Sequence, residues 1–339
     1  MNSILVTGGA GFMGSAFVRY LLREYYSQRV VVLDKLTYAG NLENLASVAA
    51  DPRYTFIHGD ICDAPLVDRV MAEHHIEAVV NFAAETHVDR SLIEADAFIK
   101  TDVYGTYVLL EAARRHGVAR FLQIGTDEVY GSLERGSAGE GDPLSPRSPY
   151  AASKAAGDMM ALAYHVSHGL PVMVTRSCNN YGPYQYPEKL IPLFITNAID
   201  DQGLPIYGDG QQVRDWLYVE DHCRAVDVVL QRGRPGEVYN IGAGNERPNL
   251  EVVVGILQGL EKPWSLVRHV ADRPGHDRRY SLNWGKIASL GWRPSYPFES
   301  GLAETIRWYQ ENQGWWRRIK SGEYADYYRR NYGHRLTTS

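Results

Sequence analysis

The sequence predicts an α/β protein built on a doubly wound parallel sheet, with a smaller mixed α/β lobe towards the C-terminus. Three observations carry that prediction. Short apolar runs alternate with amphipathic stretches up to about residue 176. A glycine-rich segment, Thr7-Gly8-Gly9-Ala10-Gly11-Phe12-Met13-Gly14, joins the first apolar run to the first amphipathic one. Beyond Arg176 the rhythm breaks, and proline and glycine become frequent. Strand–helix alternation requires crossover connections, and therefore a parallel sheet covered on both faces.

Residues 3–7, 30–34, 54–58, 78–83, 120–124 and 172–176 read as strands, and residues 12–25, 64–74 and 99–116 as helices between them. Residues 219–231 and 237–241 have the pattern of a helix and a strand that return to the first sheet. The first domain is therefore expected at residues 1–176, with returning segments near 215–242, and a second lobe at residues 177–339. Helical patterns at residues 249–259 and 299–312 belong to that lobe. The aromatic and arginine-rich tail, residues 315–332, reads as an amphipathic segment packed on its own lobe.

Bulk properties exclude several classes. At 339 residues the chain can bury a large core. A net charge of −5 with no basic block argues against a nucleic-acid surface as the main function. No stretch approaches the roughly 18 apolar residues of a membrane span. The chain enters a strand at Ile4 without a basic segment and long apolar run, so no secretory leader is expected. Cys62, Cys178 and Cys223 are scattered, with no metal-like spacing. They read as buried, reduced thiols of a cytoplasmic protein, with no metal bound.

The glycine segment follows a strand, precedes a helix, and has Asp34 twenty residues past Gly14 at the end of the second strand. That context is the one a dinucleotide site requires. Gly8, Gly11 and Gly14 allow a tight turn and close backbone approach to a pyrophosphate, and the helix N-terminus offers unpaired N–H groups. Asp34 suits the adenosine ribose and disfavours a 2′-phosphate, so NAD is expected over NADP. Asp60, after the third strand, is placed to meet the adenine.

Two further groups carry chemistry. Tyr150-Ala151-Ala152-Ser153-Lys154 sets a phenol and an ammonium one helical turn apart on one face, behind the helix opening Ser148-Pro149. A neighbouring cation favours the phenolate and brings the tyrosine towards use as a base at neutral pH. Asp127 and Glu128 follow Thr126 at a strand end, with Glu128 twenty-two residues before Tyr150. Hydride transfer needs only the Tyr/Lys pair; two adjacent carboxyls suit an acid and a base, because crowding two anions raises one pKa.

These residues, with Asp34-Lys35-Leu36-Thr37-Tyr38-Ala39-Gly40-Asn41-Leu42, Ala83-Ala84-Glu85-Thr86-His87-Val88-Asp89-Arg90-Ser91, Thr126-Asp127-Glu128-Val129-Tyr130-Gly131, Asn179-Asn180-Tyr181-Gly182-Pro183, Arg214-Asp215-Trp216-Leu217-Tyr218-Val219-Glu220-Asp221-His222 and Asp272-Arg273-Pro274-Gly275-His276-Asp277-Arg278-Arg279-Tyr280, make nearly the whole chain resemble the extended short-chain dehydrogenase/reductases. Within them it resembles the dTDP-glucose 4,6-dehydratases. Thr86, where serine is common, and Met13, where isoleucine is common, are small departures.

The resemblance implies a Rossmann domain binding NAD, a nucleotide-sugar lobe, and a three-step cycle on dTDP-glucose. Tyr150 acts as base while C4–H leaves as hydride, and Thr126 holds the C4 oxygen. Glu128 removes the C5 proton, and protonated Asp127 gives its proton to the departing C6 hydroxyl. Hydride then returns to C6 as C5 is reprotonated, leaving a 4-keto-6-deoxy sugar. The resemblance also places Phe12, Met13, Lys35, Leu36, Thr37, Ile61, Ala83, Ala84, Glu85, Thr86, Thr101 and Asn180 at the dinucleotide. It places Asn179, Arg214, Asp272, Arg273 and His276 at the pyrophosphate and nucleoside. His87, Lys189, Leu190, Pro205, Ile206, Tyr207 and Asn249 are expected to line the substrate pocket. A homodimer is expected through residues 99–116 and 150–166. The alternatives are a related NAD-dependent epimerase, decarboxylase or dehydratase acting on a UDP-sugar, or a non-enzymatic NAD-binding regulator.

Overall fold

In the computed structural model, which describes residues 1–321 and Tyr328, seven parallel strands form the central sheet. They are β1 (Ser3–Thr7), β2 (Arg29–Asp34), β3 (Tyr54–His58), β4 (Ala78–Asn81), β5 (Arg120–Thr126), β6 (Val172–Ser177) and, from further along the chain, β10 (Val238–Ile241). Their order is β10-β6-β5-β4-β1-β2-β3. Between β6 and β10 come β7 (Asn179–Tyr181), β8 (Leu204–Tyr207) and β9 (Val213–Tyr218); β11 (Glu246–Pro248) and β12 (Val267–Val270) follow. These five form a three-stranded sheet, β11-β9-β7, and a two-stranded one, β12-β8.

The central strands are near-continuous valine, isoleucine and leucine because both faces are covered. One face packs Ile4, Val6, Val30 and Val32 against helix Phe12–Glu24 and helix Val219–Arg232. The other packs Leu5, Val31, Val79 and Phe121 against helices Ala64–Glu73, Thr106–Arg115 and Pro149–His168. A third cluster, with Tyr181, Trp216, Val253, Ile306 and Trp316, is the core of the C-terminal part. No described helix is long and apolar enough to cross a membrane.

Strand order reverses between β1 and β4, and chain connections there leave in opposite directions, opening a crevice at the carboxyl ends of the strands. Three differences from the sequence reading bear on that crevice. β4 stops at Asn81, so residues 82–87 are free to run along its rim. β5 continues through Thr126, which places the acid pair directly on the strand end. The helix expected over residues 99–116 begins as a π-helix, Ile99–Gly105, before continuing as Thr106–Arg115; such widened turns are rare and gather at functional sites.

Cys178 and Cys223 are buried and unpaired, but Cys62 is partly exposed, because it lies on the loop after β3. In the tail, Trp315 and Trp316 are buried, and the indole of Trp315 donates to Asn44 Oδ1 at 3.1 Å, so this segment also clasps the 3-10 turn Leu42–Val48 that follows β2. Tyr327, Arg329, Arg330 and Tyr332 lie outside the described residues.

Candidate active site

The glycine turn is shaped by close contacts that side chains would block. Gly8 has φ +64, and a Cβ there would come within 2.6 Å of the Ala83 nitrogen. A Cβ on Gly14 would lie 2.3 Å from the Gly8 oxygen. Gly11 caps the following helix without a side-chain hydrogen bond, and the first turn holds no acidic residue. The helix end thus presents unpaired N–H groups and positive dipole, which suits phosphate. Asp34 accepts from the Ala10 nitrogen through Oδ2 and from the Leu36 nitrogen through Oδ1, both at 2.8 Å. Burial raises its pKa, and those two N–H bonds oppose the rise. Lys35 is tied to Asp60 at 2.7 Å.

One cavity runs from this turn to the acid pair. Gly8, Gly11, Phe12, Met13, Gly14, Asp34, Lys35, Thr37, Asp60, Ile61, Ala83, Ala84, Glu85, Thr86 and Thr101 line it at one end. Thr126, Asp127, Glu128, Tyr150, Lys154, Asn179, Asn180 and Lys189 line it at the other. Leu36 is absent from this lining; its φ of +53 turns the chain so that its nitrogen can bond Asp34.

At the reactive end, Asp127–Tyr130 forms a 3-10 turn on the end of β5. Thr126 Oγ1 accepts from the Glu128 nitrogen at 3.3 Å and donates to Asp127 Oδ1 at 3.3 Å. Asp127 Oδ2 is buried with no hydrogen-bond partner among the described residues. Burial, then the charge of Glu128, pushes the Asp127 carboxyl well above the usual range. Burial also raises Glu128, but Arg273, Arg214 and Lys189 oppose it there. Burial raises both acids; the charge of Glu128 lifts Asp127 further, while the three cations hold Glu128 down.

Ser148 caps the helix Pro149–His168 by accepting from the Ala151 nitrogen at 3.1 Å, with proline in the first turn. That helix delivers Tyr150 and Lys154. The expected lowering of the phenol does not arise from protein groups alone. Burial raises Tyr150 well above its ordinary value, and Glu128, Asp102 and Asp127 add to the rise, while a hydrogen bond from Thr126 opposes it. Lys154 donates to the Ile124 carbonyl oxygen at 2.7 Å.

A second cavity adjoins the first. His87, Glu128, Asn179, Lys189, Leu190, Pro205, Ile206, Tyr207, Arg214, Asn249, Arg273 and His276 line it. Glu128, Asn179, Glu188 and Lys189 face both cavities, so Glu128 stands at their junction, with Asp127 beside it in the first cavity. Arg214 is buried on β9, donating to the carbonyls of Val213 and Asp277 at 2.8 and 2.9 Å, with its guanidinium 4.3 Å from the Tyr280 ring centre. Arg273 pairs with Asp89 at 2.9 Å, and Tyr207 donates to the same carboxylate at 2.8 Å. Lys189 donates to the Thr86 carbonyl. Asp272 lies behind the lining, where it bonds His276 at 2.6 Å and Gln212 at 3.1 Å.

Several lining residues escaped assignment from sequence: Cys178, Gln185, Tyr186 and Glu188 in the first cavity, Asp89, Trp216 and Tyr280 in the second. Asp89, Trp216 and Tyr280 fall inside segments that carried the resemblance, which was the available signal. Asp102 was also missed. It accepts from Ser153 Oγ at 2.6 Å and from the Glu85 nitrogen at 2.9 Å, tying the Tyr/Lys helix to the cavity rim. Burial pushes its carboxyl up to about 6, against the pull of Lys154.

Comparison with known proteins gives a family and close relatives. The family model described as GDP-mannose 4,6 dehydratase matches residues 5–305. A dTDP-glucose 4,6-dehydratase of Streptomyces niveus is 57% identical over 327 residues, covering 95% of this chain and 97% of that protein. The crystal structure of a dTDP-glucose 4,6-dehydratase from Streptomyces venezuelae, with NAD and TYD bound, superposes with a TM-score of 0.92 at 56% identity, covering 94% of this chain and all of that one. A UDP-glucose 4-epimerase of Thermus thermophilus, solved with NAD, shares the fold more distantly, with a TM-score of 0.85 at 32% identity over 91% of this chain and 99% of that one.

Proposed function

The chain belongs to the GDP-mannose 4,6-dehydratase family, and from that membership and its active-site geometry we infer that it is an NAD-dependent dTDP-glucose 4,6-dehydratase. The observation that carries the reading is the Asp127–Glu128 pair in the same cavity lining as Tyr150 and Lys154, with Glu128 also facing the second cavity. A 4-epimerase needs the Tyr/Lys pair but has no use for a second acid and base beside it.

The residues fit the cofactor: the glycine cradle would be filled by any Cβ at Gly8 or Gly14, the helix end offers free N–H groups, and Asp34 closes the adenosine end. Bound there, NAD supplies reversible hydride storage, which lets C4 be oxidised and C6 reduced with no net consumption of cofactor. Tyr150 takes the C4 hydroxyl proton, and Thr126 holds the C4 oxygen. A ketone at C4 acidifies the C5 proton, which Glu128 removes. Glu128 suits that role because Arg273, Arg214 and Lys189 favour its charged form. Asp127, kept protonated by burial, gives its proton to the departing C6 hydroxyl. Arg214 and Arg273 supply the positive charge for the substrate's pyrophosphate.

The proposal extends to assembly and place. Tyr104, Tyr107, Met159 and Val166 are exposed on residues 99–115 and the helix Pro149–His168, which pack side by side, and this apolar face supports a homodimer. A cytoplasmic location accords with a cofactor and a nucleotide-sugar substrate made inside cells.

Incubation with dTDP-glucose is expected to give a product lighter by one water with no net loss of NAD. A product of unchanged mass with inverted C4 would point to an epimerase.

A further inference from the structure

Behind the acid turn lies a buried ion pair with no part in the cycle described above. Asp158, one turn beyond Lys154 on the helix Pro149–His168, is fully buried. Arg176, on β6, donates through Nε to Asp158 Oδ2 at 2.9 Å and through Nη1 to the Tyr130 hydroxyl at 2.9 Å. Its guanidinium lies 5.0 Å from the centre of the Tyr130 ring. Tyr130 closes the 3-10 turn that begins with Asp127, and its hydroxyl donates onward to Asn240 Oδ1 on β10 at 2.9 Å.

The same carboxylate touches the strand that ends in the acids. A Cβ on Gly125 would lie 2.9 and 3.0 Å from the two Asp158 oxygens, so Asp158 sits directly against the residue two positions before Asp127. Its Oδ1 has no hydrogen-bond partner among the described residues. The network therefore bridges three parts: the end of β5, the turn carrying Asp127 and Glu128, and the helix carrying Tyr150 and Lys154.

Stability is a weak account of this arrangement. Burying two charges costs several kcal/mol per ion, and well-packed apolar replacements are often neutral or stabilising. An unpaired buried carboxylate oxygen makes the balance poorer still. Geometry is the better account, since a misplacement of about 1 Å in a reacting group can cost roughly a hundredfold in rate.

We propose that Asp158 and Arg176, acting through Tyr130, are positioning residues that hold the Asp127–Tyr130 turn in register with the Tyr150–Lys154 helix. The inference rests on the dehydratase reading and deepens it. Its consequence is selective. Oxidation at C4 uses Tyr150 and Lys154 on their own helix and Thr126, which the β5–β6 ladder holds opposite Ser177, whereas elimination also needs the Asp127–Tyr130 turn correctly placed against the same sugar.

Two variants of the full chain test this: Tyr130→Phe, which removes one hydroxyl, and the double change Asp158→Leu with Arg176→Met, which replaces the pair by apolar groups of similar size. Nicotinamide reduction and release of dehydrated sugar are followed in single turnovers with dTDP-glucose, alongside thermal unfolding. The expected result is a folded protein in both cases, with nicotinamide reduction and substrate KM within about twofold of wild type. Elimination should be slower by ten- to a hundredfold. Elimination at the wild-type rate in the folded double variant would overturn the inference, as would an equal loss of both steps. A wild type that reduces its cofactor but releases no dehydrated sugar would instead overturn the dehydratase reading, and this inference with it.

Discussion

Lys154 donates to the carbonyl oxygen of Ile124 at 2.7 Å, which anchors the ammonium beside Tyr150 to the strand that ends in Thr126. The cation is thus fixed in a site where burial, and then the charge of Glu128, disfavour the phenolate. Replacing Lys154 with methionine leaves those opposing influences alone. Nicotinamide reduction on mixing Lys154→Met with dTDP-glucose is expected to slow by about a hundredfold or more. Rapid-mixing absorbance measures it directly, and a rate near wild type would mean that the ammonium is not what sustains Tyr150.

The acid pair should fail at a different step. Asp127→Asn and Glu128→Gln preserve shape while removing a transferable proton and a base. Both variants are expected to reduce bound NAD+ on adding substrate, yet to release dehydrated product about 10²- to 10⁴-fold more slowly. Trapped reduced cofactor, seen by absorbance, with undehydrated keto-sugar in the quenched mixture, is the signature. Loss of cofactor reduction in both variants would mean that the roles are misassigned.

Asp102 gives a stability prediction with a definite sign. Its folded pKa is raised from the ordinary 3.8 to about 6, chiefly by burial. The folded chain therefore holds that proton more tightly than the unfolded chain. The associated stability is fully present below the unfolded value and declines as pH rises through the window from about 4 to 6. Asp102→Asn removes that dependence. Denaturant unfolding across the window should show wild type losing ground to the variant by up to about 3 kcal/mol. Parallel stability curves would contradict this.

Which parts were readable in the sequence follows from how local their causes are. The turn from Thr7 to Gly14, the Ser148-Pro149 helix start and the first three strands are fixed by neighbouring residues, and they stand where residue patterns put them. The widened turns at Ile99–Gly105 left no such mark, because they are completed by packing against the helix Pro149–His168, where Gly157 admits the Asp102 carbonyl. Glu188 reaches the cavities through the fold of the C-terminal lobe, and nothing beside it in sequence announces it. The acid pair was legible as chemistry and the resemblance gave each acid its role, but the cations that hold Glu128 down were not legible from the residues around it. Two of them, Arg214 and Arg273, come from β9 and from the loop after β12.

The central claim is that oxidation at C4 is temporary and that its hydride ends on C6 of the same sugar. The most direct measurement uses dTDP-glucose deuterated at C4 and locates the label in the product by mass spectrometry and NMR. The account predicts a product lighter by one water than the labelled substrate, with deuterium at C6 and the cofactor fully reoxidised. Deuterium retained at C4, or left on accumulating reduced cofactor, would contradict it.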